Sequence, residues 1–167
     1  MSSFDDLNRF FEEIERTVLN SKSMLRLGRI TKNIIKDRTK SGLNSHGVKL
    51  KKLSDPYVDR RKFTGVPGQF GAPERSNLTY TGQLLESFDI TGSLGTFSVI
   101  IPNTERRRPP DEKGKRFGIG KDKLSNSQVA EQVAKNGRPF FSISKDEGQI
   151  LAKDVEDNVR RVLNRFL

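Results

Sequence analysis

Few stretches of this chain carry the residue types that chemistry needs. Pro110-Asp111-Glu112-Lys113 sets an acid two residues ahead of a lysine, the order in which metal-dependent nucleases place groups at the end of a catalytic strand. Two-metal chemistry also needs carboxylates held on a rigid scaffold. These acids follow two prolines in a stretch that reads as a loop, which favours a solvated charge cluster. Gly114 to Lys121, Gly-Lys-Arg-Phe-Gly-Ile-Gly-Lys, has the glycines and lysine of a phosphate-binding loop but not its spacing. Five residues separate Gly114 from Gly120 where four are needed, Asp122 stands where a magnesium-binding Ser or Thr belongs, and no apolar strand precedes the stretch. His46 is the single histidine and lies between Ser45 and Gly47 in a turn-like segment, so a Ser or Thr nucleophile lacks an evident base. With no cysteine, disulfides and thiolate chemistry are excluded, and a transition-metal site would rest almost wholly on carboxylates. The expectation is a protein with no catalytic residue, cofactor or metal.

Charge says more. Of the net +10, residues 21 to 63 supply 13 Lys/Arg against 3 Asp/Glu, while residues 1 to 20 hold 2 against 5 and residues 145 to 167 balance at 5 against 5. A second basic stretch, residues 105 to 123, has 8 against 4. Focused positive charge attracts polyanions by counterion release; the bland alternative is a solvated surface that keeps the protein soluble. Lys49, Lys51, Lys52, Arg60, Arg61 and Lys62, with Arg106, Arg107 and Arg108, are the candidates to contact DNA or a partner. Tyr57, Phe63 and Phe70 lie among the basic residues and could stack on single-stranded bases. Aromatic residues are only 8% of the chain and a core must claim several, so double-stranded DNA held through its phosphates fits better.

The elements that position these residues follow from hydrophobic spacing. The 167 residues suit one domain, and the low hydrophobic share of 32% predicts a small core with much of the chain in loops. Nothing approaches the run of about 20 apolar residues that spans a bilayer, and the acidic start lacks the pattern of a secretory signal. A soluble, intracellularly made protein without membrane contact is expected. Ser3 reads as an N-cap ahead of Asp5 and Asp6, and Phe4, Leu7, Phe11, Ile14 and Val18 mark one helical face. A second helix over 22 to 40 has Met24, Leu27, Ile30 and Ile34 on one stripe and Arg26, Arg29, Lys32, Lys36 and Lys40 mostly away from it. These form an N-terminal helical region, 1 to 41, ended by Gly42 and Gly47. Strands are predicted for Leu84 to Thr91 and Thr96 to Ile101, joined by a hairpin at Gly92 to Gly95 and closed by Pro102. Further strand-like runs, Gln128 to Ala134 and Arg138 to Ser144, flank a turn at Asn136-Gly137. A C-terminal helix over 144 to 167 opens on the capping box of Ser144 and Glu147, with Leu151, Val155, Val159, Val162 and Phe166 on one face. Residues 64 to 77 and 102 to 127 are too rich in Gly and Pro for regular structure and read as flexible loops or arms. The fold class expected is α+β, with a small, mostly antiparallel sheet packed by the N-terminal helices and the C-terminal helix.

One segment is more specific. Leu78-Thr79-Tyr80-Thr81-Gly82-Gln83-Leu84-Leu85-Glu86-Ser87 resembles the Leu-x-x-Thr-Gly-x-Leu-x-x-Ser signature of the virion-morphogenesis and tail-completion proteins of tailed phages, the group that includes the phage Mu morphogenesis protein. Upstream, Gly47 to Ser54 with Tyr57 and Arg61-Lys62 is similar to that family's Gly-x-x-Trp-x-x-Leu segment, with Leu50 where tryptophan is common. Downstream, Gly137-Arg138-Pro139-Phe140-Phe141 is similar to its Ala-Arg-Pro-Phe segment, again followed by a helix. The family's Tyr-Ala and His-Gln-Phe-Gly elements survive only as something like Val129-Ala130-Glu131-Gln132. The three motifs fall in the family's order over roughly residues 25 to 165.

The resemblance implies a structural protein of the phage neck. It would complete the tail and join it to the DNA-filled capsid as a homo-oligomeric ring, a hexamer or dodecamer, with connector and tail proteins as partners and double-stranded DNA in the channel. It would be made in the host cytoplasm and end in the virion. Leu78, Thr81, Gly82, Leu84, Ser87, Gly137, Arg138, Pro139 and Phe140 would then define a fold and an assembly surface: Thr81-Gly82 could cap a short helical turn with Leu84 and Leu85 buried beyond it, and Arg138-Pro139 could start a strand whose Phe140 or Phe141 enters the core. The basic residues would face DNA or an acidic neighbouring ring, and the two arms would order on neighbouring subunits. A free-standing, sequence-nonspecific DNA-binding accessory protein is the alternative.

Overall fold

The computed structural model describes residues 4–64, 83–104 and 125–167. Among them are six helices and one two-stranded antiparallel sheet, an α+β fold. The elements are α1 (Phe4–Thr17), α2 (Ser21–Lys40), α3 (Asp55–Thr64), α4 (Gln83–Glu86), β1 (Asp89–Ser93), β2 (Thr96–Ile100), α5 (Asn126–Lys135) and α6 (Lys145–Leu163). Ser3, most of the two expected arms, Arg106 to Arg108, Asp111 to Lys113 and the 114–121 glycine stretch lie outside the described residues. The described residues group into two compact units, one from 4–34, 90–100 and 143–167, the other from 35–64, 83–89, 101–104 and 125–142. The division falls within α2.

In the first unit, the break between α1 and α2 is made by Asn20, whose side-chain oxygen accepts the Ser23 N–H at 2.9 Å as an N-cap. The core is Met24 and Leu27 of α2 with Leu151 of α6, and Leu19, Ile30, Ile34, Phe97 and Val155 pack around it. The β1–β2 hairpin lies directly on α2 because two glycines let it. A Cβ on Gly28 would stand 2.3 Å from the Ile90 methyl Cγ2, and one on Gly92 would stand 3.0 Å from the Leu25 backbone nitrogen. The turn is tight, with Gly95 at φ +68° and its N–H donated to the Leu19 carbonyl at 2.8 Å. The strands end before Pro102, as expected. The capping box at the start of α6 is formed: Ser144 Oγ accepts the Glu147 N–H at 3.1 Å, and the Glu147 carboxylate accepts the Ser144 N–H at 2.8 Å. Leu151 and Val162 of its predicted face are buried, and α6 lies along α1.

The second unit buries Ile35, Leu50, Leu84, Leu85, Phe88, Ala130 and Phe140. Here several sequence expectations are corrected. Gln128 to Ala134 is no strand but part of α5, opened by a capping box in which Ser125 Oγ accepts the Gln128 N–H and Gln128 Oε1 accepts the Ser125 N–H. Val129 and Val133, four apart, satisfy a strand's alternation and a helix's repeat equally; the cap and the high helix propensity of Ala and Gln decide. Asn136-Gly137 is accordingly a helix end and not a hairpin turn. Gly137, at φ +78°, donates to the Ala134 carbonyl and Arg138 to the Val133 carbonyl, at 3.0 and 3.2 Å, the two bonds of a Schellman cap. Arg138 to Ser144 forms no strand, because Pro139 has no N–H and the Phe140 and Ser142 carbonyls are taken by a side chain, Arg38. Of the two readings open from Leu84, the short helical turn with Leu84 and Leu85 buried is the one that forms, as α4, and the strand β1 begins only at Asp89. Leu84 and Leu85 are adjacent and both buried, which a strand with one covered face does not allow. α3 was not anticipated: its apolar residues follow no helical stripe, but Asp55 and Pro56 in the first turn suit a helix start.

Candidate partner and nucleic-acid interface

The basic candidates of the second unit sit on a built loop. α2 ends in a Schellman cap at Gly42, φ +79°, with Leu43 N–H donated to the Arg38 carbonyl. Asn44 then holds the following turn from its side chain, its Oδ1 accepting the N–H of His46 at 2.9 Å and of Val48 at 3.0 Å. Leu43 and Lys49 form an antiparallel bridge, and the Leu50 N–H donates to the Gly42 carbonyl at 2.7 Å. Leu50 is buried, so its neighbours Lys49 and Lys51 are turned outward and exposed along with Lys52.

Arg138 closes this loop from the other motif. Its guanidinium donates to the Lys51 carbonyl at 3.0 Å and to the Lys52 carbonyl at 2.8 Å. The planar fork suits two adjacent carbonyls, which a lysine cannot reproduce. Arg138→Ala is expected to cost about 1 kcal/mol of stability, below the range for buried charge-assisted bonds because solvent reaches both. Arg138→Lys should recover less than half of that in urea unfolding.

Arg38 is the functional-looking residue that sequence reading missed. It donates to the carbonyls of Phe140 at 2.6 Å and Ser142 at 2.8 Å, holding a segment that pairs with no strand among the described residues. A signal was present: Arg38 stands four residues after Ile34, on the apolar side of α2 and apart from the exposed cations. The remaining polar face of α2 carries Lys22, Arg26, Arg29, Lys36 and Lys40. Arg26 is paired with Asp154, and Lys36 with Glu86 at 2.6 Å. Lys22, Arg29 and Lys40 are exposed.

Of the other cationic candidates, Lys62 is exposed on α3. Arg60 and Arg61 follow the same helical backbone, and of their side chains nothing is described. Among the motif residues, Leu78, Thr81 and Gly82 lie outside the described set. Leu84 and Phe140 are 3% and 1% exposed, Ser87 Oγ donates back to the Leu84 carbonyl at 2.8 Å, and Gly137, Arg138 and Pro139 form the α5 cap and its exit. Phe88 stacks on Phe140 with centroids 6.4 Å apart and meets Phe141 edge-on at 5.2 Å. Phe140 and Phe141 of the third motif thus pack with Phe88, the residue that follows Ser87. Among the described residues no three His, Cys, Asp or Glu gather as a metal site, and no helix is long and apolar enough to cross a membrane. His46 is exposed in its turn. Comparison of the chain with protein-family models, with curated proteins and with solved structures returned no match.

Proposed function

We propose that this chain is a non-enzymatic structural subunit of a tailed-phage particle, a neck or tail-completion protein that joins the tail to the DNA-filled capsid as a ring of identical copies. The observation that carries the reading is the convergence of its separated motifs on scaffold roles. Leu84, Phe140 and the family-position Leu50 are buried in the second unit, and Arg138 of the third motif ties down the carbonyls of Lys51 and Lys52 in the first. Ser87 and Gly137 serve a turn and a cap. Each does what an assembly scaffold needs, and Lys49, Lys51, Lys52 and Lys62 are left exposed, where DNA phosphates or an acidic neighbour could meet them.

Mass spectrometry of purified virions together with electron microscopy of particles made without this chain tests the proposal. The expected result is its presence in virions and, in its absence, filled heads and finished tails that stay unjoined. Joined particles without the chain would overturn it. The residues that face DNA are tested separately. Neutralising Arg60, Arg61 and Lys62 to glutamine should reduce the slope of log affinity against log salt by up to about 2.7, at about 0.9 for each phosphate of duplex DNA that is no longer neutralised. An unchanged slope would assign these cations to protein contact. Tight duplex binding by the isolated monomer, with no chain in virions, is the outcome that favours the free-standing DNA-binding alternative.

A further inference from the structure

α1 is an amphipathic helix with only half of its apolar face covered. Phe10 meets Phe166 edge-on with centroids 5.8 Å apart, Arg165 reaches Glu13 at 3.3 Å, and Val18, just past the helix, is buried. Phe4, Leu7 and Phe11, on the same stripe, remain 76%, 37% and 58% exposed. Aromatic side chains grouped at such exposure form the kind of patch that marks a contact surface on a soluble protein. The polar residues of α1 are mostly acidic: Glu13 is paired with Arg16 and Arg165, and Asp5, Glu12 and Glu15 are exposed with Arg9 as the other cation of the helix. An occupant must therefore offer apolar surface edged by positive charge. The same sign repels the anionic surface of a bilayer.

The chain itself carries such a surface. Val48 is 60% exposed beside the exposed Lys49, Lys51 and Lys52, and no acid occurs between residues 42 and 54. The backbone here is already held by Asn44, by the buried Leu50 and by Arg138, so little ordering is needed on binding. We propose that α1 of one copy docks on residues 48–52 of a second copy, Phe4 and Phe11 against Val48 and Asp5, Glu12 and Glu15 of α1 against the three lysines. Donor and acceptor are different surfaces, so the contact is heterologous and passes from copy to copy, as ring closure requires. The inference rests on the ring-subunit reading and names the surfaces that would build it.

Sedimentation velocity of the full chain at low salt tests the contact. Wild type is expected to self-associate, and the variants F4S/F11S and K49E/K51E/K52E are each expected to stay monomeric, all substituted side chains being exposed. An equimolar mixture of the two variants should form a one-to-one dimer and nothing larger, at least tenfold tighter than either variant with itself, because each supplies the surface the other lacks. A monomeric wild type, a variant that assembles like wild type, or a mixture that fails to pair would overturn the proposal; circular dichroism of each variant confirms that it is folded. Purified chain suffices for this experiment. Its failure is thereby distinct from failure of the neck reading, which is decided on virions.

Discussion

Phe140→Ala is expected to lower the stability of the second unit by about 3–5 kcal/mol, the range for removing a fully buried phenylalanine. Phe140 is 1% exposed and is among the largest fully enclosed side chains described. Its ring lies against Phe88 at 6.4 Å and Phe141 at 6.3 Å, and aromatic pairs add about 0.5–1.5 kcal/mol beyond the area they bury. Collapse of the site around the cavity is opposed from both sides. The Phe140 carbonyl is pinned by Arg38, and the residue two before it, Arg138, is fixed to the 51–52 backbone. Phe141→Ala is the control, since that ring is 38% exposed; it should cost clearly less. Urea unfolding followed by circular dichroism checks both, and equal losses for the two would contradict the assignment of Phe140 to the core.

Gly28→Val is expected to destabilise the first unit by about 2–3 kcal/mol, toward the upper end for forcing extra carbons into a packed contact. The first carbon added would meet Ile90 Cγ2 at 2.3 Å. Isoleucine is stiff at its first side-chain torsion, and the hairpin cannot back away easily because Gly92 is in turn seated on Leu25. Gly28→Ala should be milder than valine. Its smaller clash is set against the roughly 1 kcal/mol that alanine contributes over glycine inside a helix. If the clash is the cause, Gly28→Val should cost less in an Ile90→Ala background than in the wild type, a coupling that thermal or urea unfolding of the four chains measures. Strict additivity would show that the glycine is there for another reason.

Much of the local architecture was legible in the residues alone. The helix over 22 to 40, its stop at Gly42, the capping box at Ser144, the hairpin turn within Gly92 to Gly95 and the end at Pro102 were all readable, because each depends on chemistry within one turn or on a long, consistent period. The same holds for the core positions Met24, Leu27, Leu151 and Leu84. Short runs were not decided that way. Val129 and Val133 fit two periods at once, and Asn136-Gly137 serves a hairpin or a helix end equally well until the elements on either side are known. α3 was hidden for the opposite reason, since no apolar stripe announces it.

The candidate site divides along the same line. Sequence composition located the cations and the acids, because charge density along a chain needs no fold to be counted. Only the tertiary structure decided what those residues do for one another. Arg138 and Lys51 are 87 residues apart, and Arg38 and Phe140 are 102 apart, so no local spacing rule could pair a guanidinium with those carbonyls. Nor does periodicity reveal that α1 covers only half of the apolar face it was predicted to bury. A helical stripe states which side chains point the same way, and whether anything lies against them is set by the rest of the chain.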